Sequence, residues 1–143
     1  MRFQKSEGTY VITIAKGEAV IETLTTFCAS EGITNAYFSA IGAVEYASVG
    51  YYALAEKQYH FTEYAEMLEV ASATGNIMLK NGAPFVHLHA VFTNTKNEAF
   101  GGHVKEMRVG VTLEVVLTPL QSTLAREHDE AIGLFLIQCP PSD

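Results

Sequence analysis

Basic residues are scarce and dispersed in this sequence. Nine Lys and Arg stand against sixteen Asp and Glu, for a formal charge of −7, and nothing between Arg2 and Arg126 gathers the cations into a cluster. Affinity for duplex DNA rests largely on phosphate neutralisation, so the isolated chain is poorly suited to binding nucleic acid on its own. Cysteine is nearly absent: Cys28 and Cys139 are the only two, too few for a disulfide scaffold and expected as free thiols in a reducing compartment. No apolar run approaches the ~20 residues of a membrane span. The opening MRFQKSEGTYVITI has no secretory core before a small-residue cleavage site, so the expectation is a soluble cytoplasmic protein with no membrane contact. Also missing are a Gly-x-x-x-x-Gly-Lys-Ser/Thr phosphate loop and a Gly-x-Gly-x-x-Gly that follows a strand and opens a helix. There is no Gly-x-Ser-x-Gly nucleophile elbow and no Cys-x-x-Cys zinc motif.

What remains is a chain of 143 residues, 48% apolar and 17% charged, which reads as one globular domain over 1–143. TYVITI (9–14) is a first strand. EAVIETLTTFCASEG then places Val20, Leu24, Phe27 and Cys28 on one helical face. Glu18 and Glu22 suit the start of that helix, and Gly32 suits its end. Most of the rest reads as strands: NAYFSAIGAV, YASVGYYAL, YHFTEYAE, MLEVASATGNIML, FVHLHAVF, AFGGHV and GVTLEVVLTPL, the last stopped near Pro119. Asn81-Gly82 is a strong hairpin signal. STLARE and IGLFLIQC close the chain, and the tail from Pro140 is expected to fray. The fold class is α+β: a mainly antiparallel sheet with one principal helix packed on it.

Three of the five histidines fall within twenty residues. Alternate residues of a strand share a face, so His87 and His89 point the same way, with backbones about 6.6 Å apart at ~3.3 Å per residue. His103 joins them only if the following hairpin has the right register. Pairing Phe92 with Glu98 puts His103 opposite His87; pairing Thr93 with Glu98 puts it opposite Leu88, on the wrong face. A bulge at Gly101-Gly102 would restore the phase. Three protein ligands and an open fourth position is the pattern of catalytic zinc. Spacing alone leaves two readings open: a metal site, or polar residues on a half-exposed face or between subunits.

Glu114 interrupts an apolar strand, and Glu69 raises the same issue. Either is a general acid/base or a group that orients a ligand histidine, or simply an exposed carboxylate; on sequence alone exposure is the simpler reading. Arg108 either neutralises an anionic substrate or sits in a loop. His60 and His128 read as surface residues, the latter in a turn. The tyrosines at 46, 51, 52, 59 and 64 suit either a subunit surface or ordinary strands.

In this order, SAIGAV, EVASATGNI, PFVHLHAVF, GGHV and VGVTLEVVL resemble the plants-and-prokaryotes-conserved (PPC) domain over nearly the whole chain. The resemblance implies an α+β domain that assembles as a homotrimer. Plant members carry an Arg-Gly-Arg-Pro AT-hook for the minor groove, and this sequence has none. HLH and GGH follow the prokaryotic stand-alone form. The plant partner-binding segment Gly-Arg-Phe-Glu-Ile-Leu aligns with residues 66–71, where only Glu69 is identical. The fold is also similar to that of acetolactate decarboxylase, whose zinc is held by a His-x-His pair and a later His; His87, His89 and His103 resemble that trio. The implied function is a small homotrimer that binds a divalent metal (zinc) or a small anionic ligand at these three residues. Metal-assisted chemistry would use Glu114 or Glu69. The alternative is a DNA-associated or regulatory interaction module.

Overall fold

The backbone alternates between two long, sharply bent strands and the shorter strands that pair with them. The computed structural model describes residues 1–140; most of the tail named above lies outside them. In chain order the elements are β1 (Arg2–Ser6), β2 (Thr9–Ala15), α1 (Val20–Ser30), β3 (Ala36–Ala53), β4 (Gln58–Tyr64), β5 (Leu68–Lys80), β6 (Ala83–Thr93), β7 (Ala99–Pro119), β8 (Ala125–Asp129) and β9 (Leu134–Ile137). No described helix is long and apolar enough to cross a membrane.

The architecture is the expected α+β: a largely antiparallel sheet with a single helix among the described residues. All strand pairings are antiparallel except a short parallel contact of β5 with β8. Strand β3 pairs with both β5 and β7, and β6 also pairs with both, so β7, β3, β5 and β6 close into a circuit. Strands β2 and β1 extend the sheet beyond β7, and β4 continues it beside the second half of β3.

Two boundaries differ from expectation. Residues 36–53 form one strand and 99–119 form another, where the sequence reads as two strands in each region. Register shifts near Gly42 and between Ser48 and Val49 bend these strands without ending them. His128 lies in β8 and Arg108 in β7, not in a turn or a loop. Glu18 precedes the helix, and its carboxylate accepts the Ala15 N–H at 2.6 Å.

Helix α1 buries the predicted face, Val20, Leu24, Phe27 and Cys28, and Phe27 meets the rings of Phe3 and Tyr10 edge-on. Strand β6 shows the alternation that organises the site. Val86, Leu88, Ala90 and Phe92 are buried in the core, so His87 and His89 point to the opposite side of the sheet.

A three-histidine candidate metal centre

The hairpin between β6 and β7 decides where His103 goes. Asn94 Oδ1 accepts the backbone N–H groups of Lys96 and Glu98, and Asn97 takes a positive φ of 60°. This side-chain-stabilised turn sets Thr93 opposite Ala99, and the ladder then runs unbroken to His89 opposite His103. His103 therefore pairs with His89, in neither of the two registers set out above but on the face that the first of them gives. No bulge is needed in this ladder. Gly101 and Gly102 serve instead where β7 passes close to its neighbours. A side chain on Gly102, at φ +157°, would meet the Gly50 carbonyl oxygen at 2.6 Å.

The three rings converge. Their centroids lie 5.1 to 5.4 Å apart, and one ligand nitrogen from each falls within 4.8 Å of the others. Nitrogens on a tetrahedral zinc at 2.0–2.1 Å lie about 3.3 Å apart, so each pair has at most about 1.5 Å to close. Tyr59 stacks on His103 at 4.5 Å and Phe61 stacks on Tyr59 at 5.4 Å, which fixes the third ring. His103 Nδ1 is buried without a hydrogen-bond partner. A buried nitrogen with no hydrogen-bond partner, beside two other imidazoles, fits a cation in the tautomer that leaves its lone pair free.

Burial pushes the His87 imidazole down to about 4, with help from the Arg126 charge and the neighbouring histidines. Burial, His89 and Arg126 push His103 down to about 4 as well. Both are neutral at pH 7, the form that binds metal.

Arg126 was not singled out in the sequence. It is 8% exposed and donates to the Phe135 carbonyl at 3.0 Å, to Asn76 Oδ1 at 2.8 Å and to His87 Nδ1 at 3.1 Å. It sits in β8 opposite Lys80 of β5, and the β8–β9 hairpin folds it over the histidines. Nothing local in "STLARE" signals this; it depends on a hairpin returning from the end of the chain. Arg126, Lys80, Phe85, Phe135, His87 and His103 line a cavity of about 180 Å³. His89 is the exposed member of the trio and faces an open groove beside Ser72 and Thr74.

The other candidates lie elsewhere. Glu69 and Glu114 come together with Ile41 and Gly42 in a separate groove, and neither lines the histidine cavity. Arg108 is half exposed beside Glu106 at 3.9 Å. His60 pairs with Glu56 at 2.8 Å and His128 with Glu130 at 3.0 Å, both at the surface.

The profile of the Plants and Prokaryotes Conserved domain matches residues 1–121. The chain belongs to this family. A PPC protein from Pyrococcus horikoshii is 30% identical, with a TM-score of 0.88 over 99% of this chain and 97% of its own. A metal-containing protein from Archaeoglobus fulgidus is 32% identical, with a TM-score of 0.85 over 96% of each chain. A protein from Ralstonia eutropha JMP134, provisionally named as DNA-binding, is 29% identical, with a TM-score of 0.90 over 96% of each. The expected likeness to acetolactate decarboxylase extends to the fold: the Bacillus subtilis subspecies spizizenii enzyme gives a TM-score of 0.57 at 15% identity, over 81% of this chain and 54% of its own. No curated protein matches the sequence.

Proposed function

We propose that this PPC-domain chain is a homotrimer that binds one divalent metal ion, zinc, at His87, His89 and His103, and presents it to a small anionic ligand. The observation that carries the reading is the convergence of three imidazole nitrogens within 4.8 Å. Two of the rings are neutral, and one nitrogen is buried with no other partner. The metal-containing relative supports it. When bound, such an ion polarises a carbonyl or acidifies a water. The residues on this chain do the rest: the histidines hold the ion, Tyr59 holds His103 in place, and the β8–β9 hairpin covers the His87 and His103 side while His89 stays open to solvent. Glu69 and Glu114 reach this chemistry only if assembly brings the groove of one copy to the cavity of another.

The test is metal analysis of untagged protein beside His87→Ala and His103→Ala. One zinc per chain is expected in the parent. Each variant should lose more than the about 10–100-fold in affinity that follows loss of an outer partner of a ligand. Protein without stoichiometric metal, together with variants whose affinity for added zinc is unchanged, would end the proposal. The DNA-associated reading draws on the name of the Ralstonia relative but meets a charge of −7. A salt-sensitive gel shift at ~150 mM salt would revive it.

A further inference from the structure

The cavity beside the histidines has an unbalanced charge. Its lining includes two cations, Lys80 and Arg126, and no Asp or Glu. This stands out in a chain with a charge of −7. The partners of Arg126 are all neutral: a carbonyl, an amide oxygen and an imidazole. Its Nε is buried and has no partner. Lys80 lies over the rings of Phe85 at 4.7 Å and Phe135 at 4.1 Å, and among the described residues no carboxylate forms an ion pair with either cation. A buried guanidinium without a counter-charge is costly. An anion in the cavity would remove that cost.

The His87 bond adds a second observation. Arg126 has only donors, so His87 Nδ1 must accept at 3.1 Å with its lone pair. A metal on Nδ1 takes that lone pair. A metal on Nε2 leaves the ring proton on Nδ1, facing the guanidinium. Either way the Arg126–His87 bond breaks when the ion binds, and a further N–H is freed beside the Nε–H already without a partner. Metal loading and anion capture by Arg126 are thus compatible, and the first prepares the second.

We propose that Arg126, assisted by Lys80, is the anion-recognising group of the histidine cavity, and that its ligand is a small monocarboxylate with a short apolar tail. This deepens the metal-site reading and rests on it only for the freed N–H. The family match ends at residue 121, so it assigns Arg126 no role. The volume of about 180 Å³ equals about six water molecules of liquid. Phe85, Leu134, Phe135 and Leu136 give it an apolar wall for the tail. The guanidinium has five N–H groups, and three are already engaged. Once the His87 bond is released, one Nη1 and one Nη2 N–H are unengaged and suit the two oxygens of a carboxylate; the apolar wall, which phosphate would leave unfilled, favours an acid that carries a tail.

The test is calorimetric titration of the zinc-loaded and metal-free full chain with isobutyrate, its neutral isostere isobutyramide, and inorganic phosphate. Isobutyrate should bind at least about tenfold more tightly than isobutyramide or phosphate, and Arg126→Gln should erase that preference while zinc content stays at the parent level. Equal affinity for isobutyrate and isobutyramide, or a preference for phosphate, overturns the proposal. If Arg126→Gln does not fold, Lys80→Met decides: a weaker grip on isobutyrate with isobutyramide unchanged supports it, and an unchanged isobutyrate affinity overturns it. The two readings fail separately. Carboxylate-selective binding by a chain that takes up no zinc leaves Arg126 in its role and removes the metal, whereas stoichiometric zinc without carboxylate selectivity does the reverse.

Discussion

His87 and His103 are held near pKa 4 in the folded chain, against an ordinary value of 6.5. On acidification the unfolded chain takes up these two protons first, so it binds more protons than the native state between about 6.5 and 4. The stability these residues contribute is therefore fully present above pH 6.5 and is lost as pH falls towards 4. Thermal melts of metal-free protein should hold a steady midpoint above neutrality and show a falling one across this window. A His87→Gln/His103→Gln variant should flatten the fall, and an undiminished slope in that variant would refute the assignment. The candidate histidines could be read from the sequence because strand alternation is a local rule: the buried residues Val86, Leu88, Ala90 and Phe92 oblige His87 and His89 to share the other face. Arg126 could not be read. Its importance comes from Asn76, His87 and Phe135, which reach it only after the chain has folded back on itself.

Among the elements, α1, β2 and the Asn81-Gly82 hairpin were legible because periodicity and turn chemistry act within a few residues. The unity of β3 and of β7 was not. The predicted gaps fall at Glu45 and at residues 105–109, whereas Gly42, Gly50, Gly101 and Gly102 lie inside the strands and mark places where another backbone lies too close for a side chain. The segment joining β7 to β8 was equally hidden, because it hangs on one buried residue. Asn35 donates to the Leu124 carbonyl at 2.9 Å and accepts from the Leu124 N–H at 2.7 Å and the Ser122 hydroxyl at 3.0 Å. Asn35→Ala takes the acceptor from the Leu124 N–H and the Ser122 hydroxyl, while the Leu124 carbonyl keeps the Leu79 N–H at 3.4 Å, at a cost of about 1–3 kcal/mol. Urea denaturation should show that loss, and limited proteolysis should show earlier cutting near residues 120–124. A variant as stable and as protease-resistant as the parent would mean that the segment is anchored by other contacts.

For the whole molecule, the proposed homotrimer needs a face through which copies meet. Ile41 is 57% exposed and Val116 47%, and they lie with Tyr37 and Val11 on the outer side of β3, β7 and β2, beside the groove of Glu69 and Glu114. An apolar stripe of this kind is the face the proposed trimer would use. Light scattering should give the mass of three chains, and Ile41→Glu should shift it towards one; a one-chain mass for the parent protein would remove the trimer. The ring of strands through β3, β5, β6 and β7 has a consequence in time as well as in space. Tyr10 pairs with Leu117 and Ala36 with Pro119, so the early chain waits on the late chain before either ladder is complete. Few contacts reward the loop closure until most of the residues have arrived. Refolding from denaturant should therefore be slow for a protein of this length, in the millisecond-to-second range.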